Sequence, residues 1–290
     1  MISTKEYNSL IFYQGDVNNY KATSVTEENT YKSKFYKTKY AYHILNMLLY
    51  PGIENEITRI CREKKNIPIE LILYIEEILD VYENIFSLMC KFSISKTKDK
   101  SIYAFRKDRL QSMEVIDKGY TTSFSSCSLE NTCEEYFLRK DGILLLEFEI
   151  SNNVPFVLLN DIILNGCFEY EKEILLPPFI TFEKTSLELT EEEMKYKDIN
   201  GLPPKEKYLI SVNGIMFDDS NKSINKDFYT SSVEEISNDT KCVVEILCKL
   251  KAEQQVSEED KNFYINWKKV LQAYVYKRLE LIYKKVFAKN

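Results

Sequence analysis

The stretch Glu171–Pro178, with the sequence EKEILLPP, places two acids directly before an aliphatic run. The Pro-Pro pair ends that run, because proline has no N–H to donate to a strand ladder. Side chains alternate between the two faces of a β-strand, so we expect Glu171 and Glu173 on one face and Lys172 on the other. The ordinary interpretation is the solvated start of an edge strand, but paired acids at the mouth of a buried strand are also candidates for chemistry.

Two strand-like stretches with polar side chains precede this one. The first is Ser101–Arg106, SIYAFR, where an aromatic residue comes directly before an arginine. The second is Thr122–Leu129, TSFSSCSL, in which serines alternate along a short run. Arg106 lies 20 positions before Ser126, and Ser126 lies 47 positions before Glu173. Each stretch alone is a weak signal, and the ordered set is more specific.

This ordered set resembles the arginine-type mono-ADP-ribosyltransferases. That family carries an arginine on a first strand, then a Ser-Thr-Ser strand, then Glu-x-Glu. Here the three signatures are Arg106, Ser126–Ser128 and Glu171–Glu173, and the resemblance covers about residues 98 to 185. Two departures stand out: Cys127 replaces the middle threonine, and Lys107 stands where a glycine often follows the arginine.

The resemblance implies a role for each matched residue and NAD as the substrate, without a metal. Arg106 would bind the NAD diphosphate, for which a planar and always charged guanidinium is well suited. Glu173 would be the catalytic acid that holds the nicotinamide ribose, and Ser126 would orient it. Ser128 would support the strand and contact NAD. Glu171 would serve an arginine acceptor, since relatives that modify asparagine carry glutamine there.

Some assignments stay open at the level of sequence. The resemblance makes Asn165–Tyr170 the target-recognition turn, with Phe168 and Tyr170 as its aromatic residues; alternatively both pack on the sheet. Arg109 competes with Arg106, but it lies past the strand and lacks the preceding aromatic residue. Cys127 is either a reactive thiol or a small packing residue.

Composition limits the classes of protein that remain. The 290 residues carry a net charge of −6, which argues against a protein built to coat nucleic acid. The seven cysteines include no Cys-x-x-Cys, and a single histidine cannot complete a zinc-finger set. We find no signal-peptide core and no run of about 20 apolar residues. We therefore expect a cytoplasmic protein, or one delivered into a host cytosol without a cleaved signal.

The hydrophobic pattern predicts helices, then strands, then helices again. Helices are expected over 31–49 and 68–89, strands over 102–106, 121–128, 143–150, 171–176, 180–187 and 208–217, and two helices after 232 that are split near Ser257, a predicted N-cap. The predicted fold class is α+β, an ADP-ribosyltransferase-like two-sheet β core with an N-terminal helical lobe and a C-terminal helical extension. We expect one domain over 1–219, with a lobe at about 30–95 and the β core at about 98–219, and an extension over 220–290.

The last thirty residues have a charge opposite to that of the whole chain. From Lys261 onward there are eight basic residues and one acid, Glu280. Such a face is usually solvated, but it also predicts a docking surface for nucleic acid or an inhibitory partner.

The sequence thus favours a toxin or effector that ADP-ribosylates a target macromolecule, most simply a protein arginine. The alternatives are transfer to nucleic acid, NAD hydrolysis and a non-enzymatic binding module.

Overall fold

The computed structural model describes residues 2–14, 45–46, 48–49, 74–96, 101–108, 113–131, 143–159, 162, 172–198, 200–215, 233–252 and 254–287. The chain forms two compact units. Met1–Leu88 and Asn221–Asn290 form the helical unit, and Met89–Ser220 form the sheet unit. The α+β class is therefore confirmed. The grouping of residues 1–219 as one domain stays a prediction.

The helical unit contains α1 (Thr4–Gln14), most of α2 (Ile75–Lys96), α4 (Val233–Lys251) and α5 (Glu258–Phe287). The sequence analysis overlooked α1, although Ser3 and Glu6 form a capping box there: the Ser3 N–H donates to Glu6 Oε2 at 2.7 Å, and the Glu6 N–H donates to Ser3 Oγ at 3.3 Å. The predicted N-cap at Ser257 is confirmed by the Asp260 N–H, which donates to Ser257 Oγ at 3.0 Å.

Side-chain contacts join α5 to the other helices of its unit. The indole N–H of Trp267 donates to Thr240 Oγ1 on α4 at 3.1 Å, which satisfies a buried donor. Arg278 pairs with Glu76 of α2 at 3.1 Å, and Lys285 pairs with Glu83 of the same helix. Helices that come before and after the strands in the sequence are therefore bonded to each other within one unit.

The sheet unit contains seven strands in the order β4-β5-β2-β1-β3-β7-β6. Their bounds are Ile102–Asp108 (β1), Ser125–Ser128 (β2), Leu144–Ile150 (β3), Val157–Leu158 (β4), Glu173–Leu176 (β5), Ile180–Leu187 (β6) and Glu206–Ile215 (β7). A short helix, α3 (Met113–Ile116), lies between β1 and β2 in the chain. Most predicted strands agree within a few residues; the predicted strand over 121–128 begins only at Ser125, and β4 was not predicted.

The strands form one sheet rather than the two that we expected. A three-stranded segment, β4-β5-β2, meets a four-stranded segment, β1-β3-β7-β6, at the single pair Phe105–Ser128. All neighbouring strands are antiparallel except β3 and β7, which run parallel from Leu144–Glu206 to Ile150–Val212. The narrow junction places β2 beside both β1 and β5, the three strands that carry the predicted site residues.

Candidate active site

Two of the predicted site residues are in direct contact across neighbouring strands. In the β2–β5 pair, Ser128 lies opposite Glu173 and Ser126 lies opposite Leu175. Ser126 is thus the diagonal neighbour of Glu173 on the same face, within reach of a long side chain. The Ser126 hydroxyl donates to Glu173 Oε1, and both side chains are half-buried. A hydroxyl is a neutral donor, so this bond orients the carboxylate without placing a charge beside it.

Arg106 lies on the adjacent strand β1, one residue after the junction pair. Its Nη2 atom lies 2.9 Å from Oδ2 of Asp108, and the two side chains are 33% and 13% exposed. Residues two apart on a strand share a face, so Asp108 fixes the guanidinium from within β1. Sequence reasoning missed Asp108, although the alternation of strand faces would have indicated it.

Cys127 lies between these charged groups. The pKa of its thiol is raised to about 12, mainly by burial; the charge of Arg106 opposes this shift, and the charges of Glu173 and Asp108 add to it. The charges of Arg106 and Glu173 therefore both act on this thiol. A thiol with a pKa this high is protonated at neutral pH and is a poor nucleophile, which favours packing over reactivity.

Lys107, the residue after Arg106, has its ammonium 5.1 Å from the centre of the Tyr196 ring. This contact is a cation–π interaction in the loop between β6 and β7. Alternation on β1 directs Lys107 to the face opposite Arg106. Lys107, which stands where the family often has glycine, thus contacts an aromatic side chain on the face opposite Arg106.

Ser128 has a local partner at the end of β2. Its Oγ atom accepts a hydrogen bond from the Glu130 N–H at 3.1 Å, which stabilises the turn that follows the strand. This bond fits the strand-supporting part of its predicted role.

The backbone at Lys172 corrects one premise of the sequence analysis. Lys172 has φ of 41°, in the left-handed region, and β5 begins at Glu173 rather than at Glu171. The chain therefore bends between the two acids, and the alternation of an extended strand does not relate their faces. Glu171 itself, Phe168 and Tyr170 lie outside the described residues, as does Arg109.

Two kinds of feature are absent from the described part of the chain. There, no group of three or more His, Cys, Asp or Glu side chains is placed to hold a metal ion. None of the helices in the described ranges combines the length and apolar character needed to cross a bilayer.

Comparison with known proteins gives structural neighbours but no sequence relatives. No protein-family model matches the chain, and no curated protein matches it. One structural neighbour is BECa, an ADP-ribosylating toxin of a binary enterotoxin of C. perfringens solved with NADH, with a TM-score of 0.33 and 11% identity. The match covers 59% of this chain and 46% of that one, so this chain spans under half the length of BECa.

Two further neighbours have similar scores. Plx2a, an ADP-ribosyltransferase toxin from Paenibacillus larvae, has a TM-score of 0.29 and 17% identity over 60% of this chain and 91% of that one. The ADP-ribosyltransferase Vis, solved with the inhibitor M6, has a TM-score of 0.30 and 13% identity over 77% and 89%. All three neighbours are ADP-ribosylating proteins. At these scores the likeness does not bear on function, which rests on the residues of the site.

Proposed function

We propose that this chain is a mono-ADP-ribosyltransferase that cleaves NAD, releases nicotinamide and transfers ADP-ribose to a protein arginine. The observation that carries the proposal is the hydrogen bond from Ser126 to Glu173 across β2 and β5. It joins the second and third members of the ordered motif set, and the first member, Arg106, lies on the next strand.

The proposed chemistry needs a fixed negative charge beside the ribose. As the bond between nicotinamide and ribose breaks, positive charge develops on the ribose, and an oriented carboxylate stabilises it. Glu173 supplies that carboxylate and accepts the hydrogen bond of the ribose 2′-hydroxyl. Ser126 restricts the carboxylate to one orientation, which lowers the cost of aligning it during the reaction.

Binding of NAD is assigned to Arg106. A guanidinium presents five N–H donors in a planar fork that matches the oxygens of a phosphate. Asp108, which lies 2.9 Å from Arg106 Nη2, is proposed to orient the guanidinium. Ser128 and the β2 backbone line the same side as Glu173 and are assigned to the nicotinamide ribose half of NAD.

The acceptor is assigned from Glu171. An arginine has a pKa above about 12, and it has to lose a proton as it attacks the ribose carbon. A second carboxylate beside the acceptor attracts the guanidinium and takes that proton. Phe168 and Tyr170 are proposed to contact the target protein. A toxin or effector that acts in a cytosol is the biological role we propose.

The charges on α5 disfavour nucleic acid as the acceptor. Lys261 pairs with Glu258 and Lys284 with Glu280 within the helix. As described above, Arg278 and Lys285 pair with acids of α2, and Lys268 is buried. Much of the positive charge that suggested a phosphate-binding face is therefore neutralised inside the helical unit.

Incubation of the protein with NAD labelled in the adenylate half tests the proposal. Nicotinamide release measures NAD cleavage, and label in protein or RNA from added host or bacterial lysate measures transfer. We expect label in protein, removed when arginine-containing substrates compete in excess. Label in RNA would favour nucleic acid, cleavage without label would favour a glycohydrolase, and no cleavage would favour a binding module.

The variant Glu171→Gln separates transfer from hydrolysis. We expect transfer to arginine to be lost while NAD hydrolysis persists, because Glu171 acts on the acceptor and Glu173 acts on NAD. Both activities are measured on one preparation, so folding affects them equally. Equal loss of both would assign Glu171 to NAD binding or structure, and unchanged transfer would exclude an acceptor that needs this base.

A further inference from the structure

The strand that carries Glu173 is bounded by two residues with left-handed backbones. Among the described residues, Lys172 (φ 41°) and Phe179 (φ 64°) are the non-glycine residues with positive φ. Phe179 follows the Pro177-Pro178 pair and is 1% exposed, so burial of its ring in the core offsets the unfavourable backbone. Lys172 has no such explanation, since its side chain is 56% exposed.

Two polar contacts connect Lys172 to the residues that follow β2, and a third connects those residues to Ser128. The Leu129 N–H donates to the Lys172 carbonyl at 3.1 Å, and the Lys172 ammonium forms an ion pair with Glu130 Oε1. Glu130 in turn donates its N–H to Ser128 Oγ at 3.1 Å, and Ser128 is the strand partner of Glu173. The left-handed residue is thus bonded to the same turn that ends the serine strand.

These contacts hold Glu173 from its backbone side. Its carboxylate is oriented by Ser126, whereas the direction in which its Cα–Cβ bond leaves the chain depends on the dihedral angles at the preceding residue. An exposed ion pair contributes little to global stability, which leaves the Lys172–Glu130 pair without a large structural role. Unfavourable backbone conformations that the surroundings maintain occur preferentially at functional sites.

We infer that Lys172 and Glu130 are positioning residues for the catalytic acid. Leu129 and Glu130 hold the Lys172 backbone in the left-handed region, and that bend sets Glu173 against Ser126. The inference rests on the proposed function, because the role it assigns is the alignment of Glu173 for NAD cleavage.

A pair of substitutions at Lys172 tests the backbone role. Glycine adopts a positive φ without steric cost, whereas a β-branched residue strongly disfavours it. We expect Lys172→Gly to keep kcat for nicotinamide release within about twofold of wild type. We expect Lys172→Val to lower kcat about tenfold with KM for NAD little changed, because alignment of the acid is a transition-state contribution.

Two controls separate positioning from folding. The thermal midpoint of Lys172→Gly should lie close to that of wild type; because a valine at a positive φ lowers stability, kcat of Lys172→Val is measured per folded molecule, below its own midpoint. The Leu129 amide should lose protection from hydrogen exchange in Lys172→Val and keep it in Lys172→Gly, because that N–H donates to the Lys172 carbonyl.

Glu130 is tested by a double-mutant cycle. Glu130→Gln should lower kcat about threefold on its own, the scale of an exposed ion pair. It should have no further effect in a Lys172→Gly background, where no ammonium remains to be held. An equal loss in both backgrounds would mean that Glu130 acts on NAD or the acceptor directly and would overturn its role here.

The outcomes for Lys172 distinguish this inference from the proposed function. If wild type cleaves NAD and Lys172→Val matches Lys172→Gly, the inference is wrong and the proposed function stands. Equal loss in both variants would assign the effect to the ammonium and would also overturn it. A wild-type protein that does not cleave NAD would overturn the proposed function and, with it, this role.

Discussion

The two segments of the sheet hold their acids in different ways. In the four-stranded segment, with strands of 7 to 10 residues, Lys207 lies 2.7 Å from Glu147 and 2.9 Å from Glu193. In the three-stranded segment, with strands of 2 to 4 residues, Glu173 accepts a hydrogen bond from Ser126. The comparison teaches that an acid is held either by a cation, as in a structural ion pair, or by a neutral hydroxyl, which orients the carboxylate without a counter-charge of its own.

The cluster around Lys207 has the features of a structural ion pair. Burial alone would raise the pKa of Glu193, but the hydrogen bonds from the Thr190 backbone and from Lys207 lower it below its ordinary value of 4.5. Burial lowers the pKa of Lys207, yet its bonds to Glu147 and Glu193 raise it overall. The cluster connects β3, β7 and the loop that Glu193 caps with Thr190.

The largest effect is expected when the cation of this cluster is removed. Lys207→Met leaves two acids without their shared partner, and we expect the free energy of unfolding to fall by about 3 kcal/mol. Urea denaturation measures the loss. Lys197→Met is the control, because Lys197 is an exposed lysine of the loop that contains Glu193. NAD turnover per folded molecule should stay unchanged. The distinction between the two segments would be wrong if Lys207→Met were as stable as wild type. It would also be wrong if the folded variant lost NAD turnover.

A smaller effect is expected at the hydroxyl that orients Glu173. Ser126→Ala should reduce kcat for NAD cleavage about tenfold, the scale of one hydrogen bond to a charged group, and leave the unfolding free energy nearly unchanged. Ser125→Ala is the matched control, because Ser125 lies on the same strand with its side chain on the opposite face. Similar losses in both variants would indicate damage to the strand rather than loss of orientation.

The smallest effect is expected on the pH dependence of stability. Because the pKa of Glu193 is lowered in the folded state, its contribution to stability is present above pH 4.5 and is lost as the pH falls through its folded pKa. The free energy of unfolding, followed by urea denaturation from pH 6 to pH 3, should fall less steeply in Glu193→Gln than in wild type. Identical slopes for the two proteins would show that the cluster does not couple folding to protonation.

The elements that depend on interactions between residues close in sequence were predicted from local sequence signals. The Ser257 cap depends on one hydroxyl and one backbone N–H three residues away, and β3 and β6 follow from hydrophobic and polar alternation. The capping box of Ser3 and Glu6 was equally local, and α1 could have been predicted from it. The roles of Arg106, Ser126 and Glu173 were assigned only through the family resemblance.

The remainder depends on contacts that are distant in sequence. The parallel pairing of β3 with β7 joins residues about 60 apart, and no local pattern encodes it. Lys207 meets Glu147 and Glu193 only after that pairing forms. The left-handed backbone of Lys172 could not be predicted either, because lysine has no preference for that conformation and the bonds that hold it come from Leu129 and Glu130.

The most direct test of the account is the rate of nicotinamide release by Glu173→Gln. The control is Glu183→Gln, which makes the same change at an exposed acid of β6. We predict that Glu173→Gln loses at least about a hundredfold in turnover, the scale of a key electrostatic group, with an unchanged unfolding free energy, whereas Glu183→Gln retains full activity. Near wild-type turnover in Glu173→Gln, or equal losses in the two variants, would contradict the assignment of Glu173 as the catalytic acid.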